Sequence, residues 1–190
     1  AKVLSYIDVI KGAEVGERVA IIGAGGIGFD VAEFLTHEGD HSSLNIPDFM
    51  AKWGIDMSGD ARGGVKGIDP QEMPSTREVY LLQRKKSKVG KNLGKTTGWI
   101  HRASLNQKKV NMMASCEYYK VDDAGLHLSV DGEKQILDVD NVIICAGQTP
   151  FKELYQPLLD LGKSVHVIGG ADFASELDAK RAINQGARLA

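Results

Sequence analysis

The residues whose types and spacing most directly suggest chemistry are Gly23-x-Gly25-x-x-Gly28. At a strand-to-helix turn the first glycine permits the tight turn, the second lets a pyrophosphate reach the backbone, and the third lets helix and strand pack closely. A helix opening at Gly26 and Ile27 adds N–H groups and the positive end of its dipole. The spacing therefore points to a dinucleotide held by Gly23, Gly25, Gly26, Ile27 and Gly28. Such a fingerprint asks for an acid about 20 residues further on, at the end of the second strand, to accept from a ribose 2′-hydroxyl. Here the second strand comes much later and ends near Gln83, where Arg84, Lys85 and Lys86 follow instead of an acid. Arginine favours a 2′-phosphate, so NADP(H) is expected over NAD(H), with Arg84 and Lys85 on that phosphate.

The wider context agrees. From Val79 to Cys116 there are nine Lys or Arg residues and no Asp or Glu. Such a local field suits a polyanion such as NADPH or coenzyme A, or an acidic protein surface. Apart from Trp99 no aromatic residue is interleaved with these charges as a base-stacking platform would require, so no nucleic-acid partner is expected. His37, His41, His101, His127 and His166 show no metal-ligand spacing, and Cys116 and Cys145 form no CxxC pair. A disulfide framework and an all-cysteine metal site are excluded within these residues. No nucleophile–base pair can be argued from spacing, so no catalytic residue and no metal ligand is assigned.

The elements that must position these groups are legible as patterns. Val3 to Lys11 has helical spacing and stops at Gly12; Arg18–Ile22 reads as a buried strand, and apolar residues from Phe29 to Leu35 continue at helical spacing. Residues 37–76, with Pro47, Pro70, Pro74 and six glycines, read as a long surface insertion with room for a short helix near Ile46–Trp53. Further strands are expected at Glu78–Gln83, Val110–Met113 and Asn141–Ala146, with a helix at Trp99–Asn106. Glu117–Val121, Leu126–Val130 and Gln135–Val139, joined by Asp-rich and Asp-Gly turns, read as a β-meander. A helix at Phe151–Leu161, a strand at Val165–Ile168 and a helix at Glu176–Leu189 complete the chain. Strand and helix alternate, which predicts an α/β, Rossmann-like dinucleotide-binding fold with a central parallel sheet and a β-meander.

Composition sets the outer bounds. The chain has 190 residues, 43% hydrophobic and 25% charged, with a net charge of −2, which is ordinary globular composition. No apolar run approaches the ~18 residues a membrane span needs, so no membrane partner is expected. The absence of an initiator Met and of a signal-peptide pattern suggests a piece of a longer protein.

Several motifs together resemble a known family. These are Val19–Asp30, Leu82-Gln83-Arg84-Lys85, the run Leu93-Gly94-Lys95-Thr96-Thr97-Gly98-Trp99-Ile100-His101-Arg102, Val142–Gln148 and Glu176–Gly186. Over nearly its whole length the chain resembles the C-terminal NADPH-binding region of the bacterial 2,4-dienoyl-CoA reductases. These are iron–sulfur flavoenzymes related to old yellow enzyme and trimethylamine dehydrogenase. The resemblance implies a cytoplasmic enzyme of fatty-acid β-oxidation, carrying FAD, FMN and a 4Fe-4S cluster, in which hydride passes from NADPH to FAD. It implies that residues 16–147 form the NADPH domain, with 1–15 and 148–190 belonging to the FAD domain. Ala146, Gly147 and Gln148 would then line the cofactor. Related flavoproteins have Ile-Gly-Asp at the flavin ribityl chain; here the sequence reads Ile168-Gly169-Gly170-Ala171-Asp172, leaving Asp172 as the FAD contact. The partners implied are the rest of the same polypeptide, its FAD domain and FMN barrel. The acyl-CoA substrate would bind outside these 190 residues, which alone are not expected to be catalytically complete. Two alternatives stand beside this: a nucleotide domain of a sibling flavin oxidoreductase or amine dehydrogenase, functional or vestigial, and a non-catalytic dinucleotide-binding module.

Overall fold

A computed structural model describes residues 2–37, 39, 42–71, 75–174 and 179–190. His41, and Glu176–Asp178 at the expected start of the last helix, lie outside these residues. The chain divides into two compact units, Ala1–Ala146 and Gly147–Ala190.

The first unit is built on a five-stranded, all-parallel sheet. Its strands are β1 (Val3–Ser5), β2 (Arg18–Ile22), β3 (Glu78–Leu82), β4 (Asn111–Met113) and β8 (Asn141–Ile144), in the spatial order β1-β8-β2-β3-β4. A parallel strand covered on both faces must be apolar on both, and β2 is: Val19, Ala20 and Ile21 are fully buried. Alternation along the strand separates two cores. Val19, Ile21, Leu81 and Ile143 pack with Phe29, Val31 and Leu105 on the helical side. Ala20, Leu82 and Val142 pack with Cys116, Leu126 and Leu128 on the other. The helical layer holds α1 (Tyr6–Ile10), α2 (Gly26–Leu35) and α4 (Gly98–Gln107). The opposite layer is an antiparallel meander of β5 (Cys116–Asp122), β6 (Gly125–Val130) and β7 (Glu133–Leu137). The α/β fold, with its parallel sheet and meander, is therefore as the sequence pattern implies.

Two expected elements differ. Val3–Ser5 is not helical; it pairs in parallel with Val142–Ile144, and the helix starts only at Tyr6, where the Ser5 hydroxyl and the Asp8 carboxylate form a capping box. Val165–Ile168 is not a strand. The described residues of the second unit form only α5 (Tyr155–Asp160), α6 (Gly169–Asp172) and α7 (Ala179–Leu189), so this β-branched run has no strand within its own unit to pair with. The insertion carries α3 (Ile46–Lys52), and the Gln107 side-chain amide donates to the Lys52 carbonyl at 3.1 Å, tying it to α4. Among the described residues no helix is long and apolar enough to cross a membrane.

Candidate functional site: the glycine turn and its basic loop

From β2 the chain passes through α2 to β3 on one side, whereas β8 lies on the other side of β2. This reversal makes the carboxyl ends of β2 and β8 the switch point at which open α/β sheets bind ligands. The glycine turn sits there. The Gly23 amide donates to the Leu82 carbonyl at 2.9 Å, and the Cys145 amide to the Ile22 carbonyl at 2.8 Å, so the turn is fixed to both neighbouring strands.

The three fingerprint glycines do different work. Gly23 has φ +114°, and a Cβ there would lie 2.8 Å from the Cys145 carbonyl, beside Ala146. At Gly28 a Cβ would fall 1.8 Å from the Gly23 carbonyl oxygen. Both positions must therefore be glycine for the fold's own sake. Gly25 is different: φ is −88°, which any residue adopts, and a Cβ there would meet nothing within 4 Å. It caps α2 without a side-chain hydrogen bond, and first-turn N–H groups of a ten-residue helix left in this way favour an anion. Gly26 likewise faces open space. Among the described residues no close contact requires a glycine at 25, and the open space beside it leaves the backbone approachable.

A pocket of about 170 Å³ opens at this point, lined by Ala24, Gly25, Gln83, Lys85, Ser87, Lys91 and Asn92. The structure thus brings Gly25 and Lys85 together. Arg84 is exposed and lies within electrostatic reach of Tyr118, whose hydroxyl is buried without a hydrogen-bond partner and whose pKa burial drives above the ordinary range. Ser87, Lys91 and Asn92 were not singled out by the sequence. Their signal was the lysine density of residues 84–95, but which of these residues face the turn depends on the path of the loop.

That path is held from both ends. The Gln83 carboxamide donates to the carbonyls of Lys85 and Ser87. The Arg102 guanidinium, on α4, donates to the Gly90 carbonyl at 2.9 Å, and Gly90 lies so close to Phe29 that a Cβ would come within 2.7 Å of the ring. His101 Nδ1 sits 3.2 Å from the Glu33 carboxylate, which ties α4 to α2.

The remaining sequence candidates occupy other settings. Burial raises both thiols, Cys145 to about 12, which keeps them protonated and packed in the core. Among the described residues no group of three or more His, Cys, Asp or Glu could hold a metal ion. Gly147 and Gln148 begin the second unit. There Asp172 ends α6, and its carboxylate accepts from the Gln185 side chain at 3.0 Å, while Gln185 Oε1 accepts from the Gly169 amide at 2.7 Å.

Comparison with known proteins gives this architecture a family. The pyridine nucleotide-disulphide oxidoreductase pattern matches residues 2–168. The chain belongs to that family. It is an oxidoreductase domain of the pyridine-nucleotide type. A metal reductase of Desulforamulus reducens is 25% identical over 171 residues, covering 90% of this chain and 24% of its own. The fold is shared with 2-naphthoyl-CoA reductase, at TM-score 0.66 and 18% identity over 100% of this chain and 23% of that one. It is shared too with histamine dehydrogenase from Rhizobium sp. 4-9, at TM-score 0.62 and 16% identity over 99% and 25%. The chain thus spans about a quarter of the length of each protein it matches.

Proposed function

We propose that this oxidoreductase domain is the NADPH-binding portion of a larger flavin-dependent reductase of the 2,4-dienoyl-CoA reductase kind. The observation that carries the nucleotide reading is Gly25: it faces open space beside a pocket whose charged lining residues, Lys85 and Lys91, are both cationic. The residues present fit a phosphorylated dinucleotide. Gly25, Gly26 and Ile27 would meet the pyrophosphate through backbone N–H groups, and Lys85, with Arg84 beside it, would meet the 2′-phosphate. Bound there, the cofactor would supply a hydride to flavin. The chain's own work is to bind and orient: the first turn of α2 favours the anion, and the closeness of Gly23 to Gly28 fixes the angle at which that turn meets the strands.

In this reading residues 16–147 hold NADPH, while 1–15 and 148–190 belong with an FAD domain elsewhere in the polypeptide. Ala146, Gly147, Gln148 and Asp172 are then placed toward the cofactors. FMN, a 4Fe-4S cluster and an unsaturated acyl-CoA substrate complete the assignment outside these residues. The fold shared with a CoA-thioester reductase supports it; the fold shared with histamine dehydrogenase supports the sibling reading, an amine dehydrogenase domain.

Calorimetric titration of the chain with NADPH and with NADH tests the nucleotide reading. NADPH is expected to bind more tightly. Lys85→Ala should remove about tenfold of NADPH affinity while leaving NADH nearly unchanged, as loss of one charge-assisted phosphate contact requires. Arg84→Ala, measured alongside, reports whether the neighbouring guanidinium shares that contact. Equal affinity for the two cofactors in the unaltered chain would reject the 2′-phosphate assignment and leave the glycine turn standing.

A further inference from the structure

The insertion between α2 and β3 is fastened at one end of the parallel sheet. Arg77, the residue before β3, donates from Nη1 to the Leu35 carbonyl at 3.0 Å and from Nε to the Gly16 carbonyl at 3.2 Å. Leu35 ends α2, and Gly16 lies two residues before β2. The Gln107 bond to the Lys52 carbonyl adds an attachment at the last residue of α4, shortly before β4. These are all amino ends of parallel strands, whereas the glycine turn stands at the carboxyl ends.

Within itself the insertion is ordered by its own backbone. The Gln71 amide donates to the Ala51 carbonyl at 3.0 Å, and the Asp56 amide to the Gly64 carbonyl at 2.7 Å. Gly54, at φ +63°, packs so closely on Pro70 that a Cβ would lie 2.9 Å from its nitrogen. The surface built in this way is apolar. Leu44, Ile46, Phe49, Met57, Val65 and Ile68 are all exposed, Leu44 at 84% and Ile46 at 65%. From Ser42 to Lys52 the only charged residues are Asp48 and Lys52, of opposite sign, and Lys52 lies over the Trp53 ring at 5.8 Å.

A preformed apolar surface without net charge suits a permanent interface, because a partner that came and went would leave it bare to water. A domain of the same polypeptide is a permanent partner. The chain spans about a quarter of the length of each protein it matches, so most of such a protein is there to supply one. A domain that accepts hydride meets the cofactor at the carboxyl ends of the strands, and the insertion is fastened at the other.

We propose that Leu44, Ile46 and Phe49 form a docking face for the FMN-bearing barrel of the same polypeptide. This rests on the chain being the NADPH-binding portion of a larger flavin-dependent reductase, in which FAD takes the hydride. The FAD domain is then occupied at the carboxyl ends, and the barrel is the domain left to cover the insertion.

Hydrogen exchange on the purified longer polypeptide and on this chain tests the docking face. Amides of residues 44–53 should exchange about tenfold more slowly in the longer polypeptide, at any protein concentration. Leu44→Asp combined with Ile46→Asp, at positions too exposed for the chain's own folding to depend on them, should abolish that difference. The same pair should leave the NADPH affinity of the chain unchanged. A benzophenone amino acid in place of Leu44 should cross-link, on illumination, to a peptide of the barrel. Equal exchange in the two proteins, or a difference that survives the double substitution, overturns the docking face. Protection that grows with protein concentration assigns the face to a second copy, and a cross-link to the FAD domain assigns it there; either result overturns the proposal. A longer polypeptide whose absorbance shows no flavin rejects the underlying reading and the barrel with it.

Discussion

At the scale of single residues, the fingerprint glycines separate into Gly23 and Gly28, which the fold needs, and Gly25, which no contact in the fold constrains. Gly28→Ala drives a methyl to 1.8 Å from the Gly23 carbonyl. Relief requires backbone movement, so we expect a stability loss of about 1–3 kcal/mol, the usual range for overpacking, together with loss of nucleotide binding. Gly25→Ala places its methyl in open space at an ordinary φ. The only expected structural cost is that of a poorer helix cap, under about 1 kcal/mol, while dinucleotide affinity should fall sharply. Thermal melts and titrations on the two variants check this. If Gly25→Ala bound the dinucleotide as well as the original, the pyrophosphate would not lie against that backbone. The glycines were legible in the sequence because their spacing encodes a local turn. The spacing assigned their duties as well; what it could not show is what a Cβ would strike, which depends at Gly23 on the chain just beyond β8 and at Gly28 on the turn's own carbonyl. The same holds for the loop: Lys85 was legible by position, but Lys91 and Asn92 reach the turn only because Gln83 and Arg102 bend the chain.

At the scale of elements, local patterning identified those whose partners it did not have to specify. β2, β3 and the three meander strands carry their own alternation or apolar runs. Val3–Ser5 does not, because three residues continuing into an amphipathic turn satisfy helical spacing equally well; pairing with Val142–Ile144 decides the matter. The insertion shows the opposite case, a stretch without periodicity that is nonetheless ordered by side chains. The Asp56 carboxylate accepts from the amides of Ala61 (2.6 Å) and Ser58 (2.9 Å) and from the Ser58 hydroxyl (2.7 Å). These bonds, Ala61's foremost, hold its pKa at about 2, below the ordinary 3.8. A depressed carboxylate pKa stabilises the folded turn fully above the unfolded value and is lost as pH falls toward the folded one. Amide protection at Ala61 should therefore be constant above about pH 5 and decline between about pH 4 and 2. Asp56→Asn should show weak protection at every pH. Hydrogen exchange at that amide measures both, and a protection profile flat down to pH 2 would show that other contacts hold the turn.

At the scale of the whole molecule, burial is unevenly shared. Among the described residues every fully buried hydrophobic side chain lies within Ala1–Ala146, apart from Ala174. The second unit instead exposes Phe151, Leu154, Leu161, Phe173 and Ile183. Ordering a residue costs about 1–2 kcal/mol of backbone entropy, which apolar burial must offset. Among the described residues of Gly147–Ala190 the helices are short, α7 running to 11 residues, and helices of that length are marginal without packing. The first unit, with cores on both faces of its sheet, has what is needed to persist alone. Limited proteolysis of the chain should accordingly cut first between Gly147 and Ala190 and leave a protected product close to residues 2–146. Proteolysis of a longer polypeptide carrying the proposed FAD domain should find the same segment protected, because its apolar side chains and the β-branched run Val165–Ile168 would gain partners. Early cleavage inside the parallel sheet would show that the first unit depends on the second. Cleavage of the second unit at the same rate in both settings would remove the support for placing it in an FAD domain.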